Sequence, residues 1–164
     1  MRRARFAAIP AAAAAVAALA FPAVAHAAVI TRPFAADSGD SCRYGSTEGT
    51  LGWQYGPASP LPAAGVAVSG KLADRPLPSD PAAVCRDDGY SSTVTFVAYA
   101  GGAEVGRQSR TADNATTSFA FILGGTSAAT GISSVVVQVC RTPVVTLPPS
   151  YCGKPVTYLA PPVA

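Results

Sequence analysis

Histidine is the side chain most often used to move a proton near neutral pH, and this chain has one, His26. It lies in Ala25-His26-Ala27, just after an alanine-rich apolar run from Phe6 to Val24. A basic start, Met1-Arg2-Arg3-Ala4-Arg5, precedes the run. The order of basic residues, apolar stretch and small residues is that of a signal peptide, with cleavage expected after Ala27. Pro10 and Pro22 interrupt the run and alanine is only weakly apolar, which argues against a retained anchor. General secretion is favoured over twin-arginine export, because the residues after Arg2-Arg3 fit that pattern poorly. Without residues 1–27 the chain has no histidine. It can then build neither a Ser-His-Asp nor a Cys-His triad, and it offers no imidazole to zinc.

The carboxylates are the remaining route to catalysis. A glycosidase can work with two acids alone, provided they converge across a cleft. Asp87 and Asp88 are adjacent in a turn, where both remain solvated, and no other spacing among the nine acids selects a pair. Asp37 and Asp40 lie in the turn-rich stretch 35–45, which lacks the alternating oxygen ligands and distal glutamate of a calcium loop. No catalytic residue, metal site or cofactor is expected, and the chain reads as a non-enzyme.

Two features suit binding instead. Leu51, Trp53 and Tyr55 alternate onto one face of the segment Thr47–Tyr55. Trp53 and Tyr55 could form a platform for stacking sugar rings, or Trp53 could pack inside with the Tyr55 hydroxyl at the rim. The second feature is the ring closed by Cys140 and Cys152, which contains residues 141–151. Arg141, Thr142, Pro143, Val144 and Val145 lead this tethered, proline-stiffened loop. Such a loop is a preorganised strand mimic of the kind a protease inhibitor presents. The plainer reading is the pinned end of a C-terminal strand. Asn114-Ala115-Thr116 also matches a glycosylation sequon.

These residues need a scaffold, and composition constrains it. Loss of Arg2, Arg3 and Arg5 leaves nine basic residues of twelve against nine acidic ones, so the net charge of +3 falls to zero. No basic cluster remains, and neither nucleic acid nor an anionic membrane is an expected partner. Four cysteines, Cys42, Cys85, Cys140 and Cys152, in an exported chain imply two disulfides, and no Cys-x-x-Cys spacing suggests metal. Three connectivities are possible; Cys42–Cys85 and Cys140–Cys152 are favoured because they join neighbours in sequence.

Between Cys85 and Cys140 there is no proline, although both flanks are rich in it. The clearest alternating segments lie there: Ser92–Tyr99, Glu104–Arg110, Thr116–Leu123 and Ser134–Cys140. Gly101-Gly102 marks a hairpin that would set Glu104 opposite Tyr99 and Val105 opposite Ala98. The polar returning strand reads as an edge guarded by charge, and 133–141, apolar on both faces, as a central strand. Further strands are expected at Ala28–Phe34, ended near Pro33, at Thr47–Tyr55 and at Gly65–Ala73.

About seven short strands with turns between them point to an all-β fold, an antiparallel β-sandwich stapled by two disulfides, in a single domain over residues 28–164. The Cys42-to-Trp53 spacing suggests an immunoglobulin domain, but no later cysteine has a tyrosine two residues before it, so the likeness stops at architecture. The alanine-rich leader resembles those of secreted proteins from high-GC bacteria. The leading expectation is a secreted, extracellular, non-catalytic binding or structural module, monomeric, whose partner is an unknown extracellular protein or glycan. The alternatives are an enzyme inhibitor acting through residues 141–151 and a glycan-binding module using Trp53 and Tyr55.

Overall fold

A computed structural model describes residues 28–56, 65–75, 89–124, 131–145 and 149–162. The expected signal peptide, Cys85 and the Asp87–Asp88 turn lie outside the described residues. Within them there is no helix. Nine strands follow one another: β1 (Ala28–Asp37), β2 (Gly45–Tyr55), β3 (Gly65–Asp74), β4 (Tyr90–Ala100), β5 (Ala103–Ala112), β6 (Thr116–Leu123), β7 (Ser134–Pro143), β8 (Tyr151–Cys152) and β9 (Val156–Leu159). They form two antiparallel sheets. The first runs β1-β2-β3-β6, and the second runs β5-β4-β7 with β8 and β9 both on the far side of β7.

The seven long strands lie where alternation of apolar and polar residues puts them. β8 and β9 were not expected: strands of two and four residues in a proline-rich tail are too short to show a period. β1 also departs from expectation, because it continues past Pro33 to Asp37. The backbone N–H and carbonyl of Ala35 both point away from β2, to the Tyr158 hydroxyl. Pro33, two residues earlier, shares that orientation, so its missing N–H costs the ladder nothing on this edge strand.

The β4–β5 hairpin turns at Gly101 and Gly102, whose φ angles of 56° and 92° suit a primed turn. Glu104 lies opposite Tyr99, as expected, but Gly106 and not Val105 lies opposite Ala98. A bulge at this point absorbs Val105 and shifts the register. β5 pairs only with β4, whereas β7 is paired on both sides, matching the edge and central roles read from their polarity.

Inward-facing side chains of both sheets meet in one core. Phe34 of β1 sits edge-on to Phe96 of β4 at 5.3 Å, and Phe96 lies 5.5 Å and 5.4 Å from Phe119 and Phe121 of β6. One row across the first sheet explains how so many rings fit. Phe34, Gly49, Gly70 and Phe119 are successive cross-strand partners. A Cβ on Gly49 would come within 2.6 Å of the Gly70 Cα and 2.9 Å of the Phe34 ring. The two glycines leave room for the Phe34 ring over the sheet, so it lies stacked towards Phe119 at 6.5 Å.

Cys140 and Cys152 are direct cross-strand partners of β7 and β8 and form the expected disulfide, with Cα atoms 3.9 Å apart. Of the two expected disulfides this is the one described in full. Cys42 is disulfide-bonded as well, and its expected partner Cys85 lies outside the described residues.

Candidate binding sites

Trp53 continues the alternation of β2 towards the core, between Ile30 of β1 and Val66 of β3. It has no exposed surface, and Tyr55 retains 3%. The Tyr55 hydroxyl donates to the carbonyl of Pro161, which ties the C-terminal segment to β2. Burial raises the Tyr55 pKa, because the phenolate would be desolvated. The stacking platform is therefore corrected: both rings are buried in the core cluster, and neither has a face to offer a sugar. No described residue accepts a hydrogen bond from Trp53 Nε1, so packing alone holds the indole.

The tethered loop is corrected at its first residue. Arg141 is 1% exposed and belongs to the core face of β7, following Val135, Val137 and Val139. Its guanidinium pairs with the Asp74 carboxylate at the end of β3 and donates to Ser92 Oγ of β4 at 2.8 Å. Ser92 Oγ donates to Asp74 Oδ1 at 2.7 Å, and Asp74 Oδ2 accepts the Asn114 N–H at 3.0 Å. The rings of Tyr44 and Tyr90 flank the guanidinium at 5.1 Å and 5.7 Å. This buried network joins the two sheets at one end of the molecule. Sequence reasoning missed it, although the signal was present: Asp74, Ser92 and Arg141 each extend an apolar alternation by one step, on the same face.

Thr142 and Pro143 are also corrected: they are the last residues of β7, paired with Ser91 and Tyr90 of β4, so the loop itself begins at Val144. Thr142 is exposed, Pro143 half-buried, and Val144 and Val145 are 59% and 69% exposed. Val144 donates its N–H to the Gly89 carbonyl at 2.9 Å, which fixes one stem against the start of β4. The Cys140–Cys152 bond fixes the other boundary.

A groove lies elsewhere. It has a volume of about 860 Å³ and runs between the 35–48 region of β1 and β2 and the 151–156 segment. Asp37, Asp40, Arg43, Glu48 and Lys154 carry its charge. Asp37 Oδ1 accepts the Gly39 N–H at 2.9 Å, and Asp40 accepts from the Ser38 hydroxyl and from the Tyr44 N–H at 3.1 Å. These acids are held by their own loop, which stabilises its turn. Glu48 pairs with Lys71 at 2.9 Å, whereas Lys154 pairs with no carboxylate among the described residues. Gly153 closes the groove: it lies so near the Asp37 carbonyl that a Cβ would collide with it.

Asn114 is exposed in the β5–β6 turn with a φ of 45°, so its side chain is accessible for modification. Compared with protein-family models, curated proteins and solved structures, the chain matches none.

Proposed function

We propose that this is a secreted, non-catalytic binding module with the architecture of a β-sandwich, and that it takes a segment of an extracellular protein or glycan into the groove between β1–β2 and the 151–156 segment. One observation carries the reading: this groove of about 860 Å³ combines mixed apolar and charged walls with a lysine, Lys154, left unpaired among the described residues. The acids beside it are occupied by turn hydrogen bonds, which suits recognition better than acid–base chemistry. The Cys140–Cys152 disulfide is compatible with an oxidising, extracellular setting.

The test is binding of labelled protein to arrays of extracellular glycans and peptides, compared with Lys154→Glu. A tenfold or greater loss with unchanged thermal unfolding is expected, equivalent to roughly 1.4 kcal/mol. Binding that ignores Lys154→Glu overturns the groove as the site.

The exposed pair Val144 and Val145, on a loop fixed at both ends, favours a second reading, that of an inhibitor acting through residues 144–145. Incubation with serine proteases should then give inhibition that Val144→Ser and Val145→Ser weaken. Neither inhibition nor cleavage in the loop removes that reading.

A further inference from the structure

Among the described residues each sheet ends in two edges, and three of the four are guarded along at least part of their length. On β1, Pro33 lacks an outward N–H, the Tyr158 hydroxyl occupies both backbone groups of Ala35, and Gly153 crowds Asp37. β5 carries Glu104, Arg107 and Arg110 and is bulged at Val105. β8 and β9 are two and four residues long. Charge, proline, bulges and shortness are the means by which proteins keep edges from pairing with foreign strands.

β6 has none of them. Its eight residues, TTSFAFIL, contain no charge, proline or glycine, and its register against β3 is unbroken. The Asp74 N–H bonds to the Ala115 carbonyl at 2.8 Å, so the odd-numbered residues of this segment turn their backbone groups towards β3. The N–H and carbonyl groups of Ser118, Ala120 and Ile122 then point away from the sheet, and no described residue bonds to them. The Ser118 and Ala120 side chains are exposed, and Ile122 is 63% exposed.

We propose that β6 is an interaction edge that pairs antiparallel with β6 of a second copy of this chain, joining two four-stranded sheets into one of eight strands. A copy of the same strand fits because the segment is its own neutral complement. With the two-fold axis at Ala120, Ser118 lies opposite Ile122 of the other copy and Thr117 opposite Leu123, so no charged residue opposes another along the strand. The sheet surface is low beside Ala120 and Ile122, whose β3 partners are Ser69 and Ala67, while Lys71, the partner of Ser118, is paired with Glu48 of β2. Such a contact buries less than a standard interface, so association is weak and depends on concentration. It replaces the monomer expected from the sequence.

Sedimentation equilibrium of the exported protein, from about 20 µM to about 1 mM, should show an average mass rising towards twice the monomer. Ala120→Lys and Ala120→Glu should each lose this rise, because like charges then face each other across the axis, while circular dichroism and thermal unfolding stay unchanged. Mixing the two variants in equal amounts should restore association. A monomer at every concentration overturns the proposal, as does association that survives Ala120→Lys, open-ended aggregation, or failure of the mixture to recover. If the chain stays monomeric but binds a synthetic Thr116–Leu123 peptide, the edge belongs to a foreign strand and the second copy is ruled out.

Discussion

Asp74 and Arg141 are 67 positions apart in sequence, and each is a tolerable buried charge only because the other lies beside it. Removing one partner strands the other in the core, which costs about 3–5 kcal/mol. Asp74→Ala and Arg141→Met should each lower stability by that order in urea unfolding. The double substitution should cost clearly less than the sum of the two, because it leaves no lone charge. Strict additivity would show that the pair is not coupled. Tyr55 gives a pH dependence of definite sign. Burial raises its pKa above the ordinary value of 10.0, so the folded state holds the phenolic proton longer than the unfolded chain. Stability from this group is intact below about pH 10 and is lost as pH rises through the folded-state pKa. Tyr55→Phe should flatten the alkaline limb of the stability curve. At neutral pH it should cost about 1 kcal/mol, since the Pro161 carbonyl loses its donor.

At the scale of elements, the C-terminal segment seals one side of the fold. β8 is bonded to β7 through Cys140–Cys152, Gly153 packs on the end of β1, and Tyr158 of β9 caps Ala35. Gly153→Ala places a methyl group against the Asp37 carbonyl and should destabilise by about 1–3 kcal/mol. The release should be local, with faster amide exchange in β8 and β9 than in β2 or β4. Uniform acceleration across all strands would instead make the segment part of the cooperative core. The same element shows what a periodicity argument misses. The tail's prolines mark it as irregular, yet its few residues between prolines suffice to pair with β7, because a neighbouring strand already supplies the ladder.

In the whole molecule, alternation within each strand is a local property, and the sequence determined it: the seven long strands, the Gly101-Gly102 hairpin, the polar edge of β5, the doubly paired β7 and the Cys140–Cys152 bond follow from residue order and short separations. The candidate site was much less legible. The order of residues places Trp53 and Tyr55 on one face of β2, but whether that face meets solvent or a second sheet depends on strands distant in the chain. Tertiary packing put both rings inside. It also drew Arg141 out of the loop it was expected to lead and into partnership with Asp74 and Ser92. The groove walls are assembled from the 35–48 and 151–156 regions, more than a hundred residues apart, so no spacing in the sequence marks them. Sequence sets which side of a strand a residue occupies; only tertiary packing decides which side is dry.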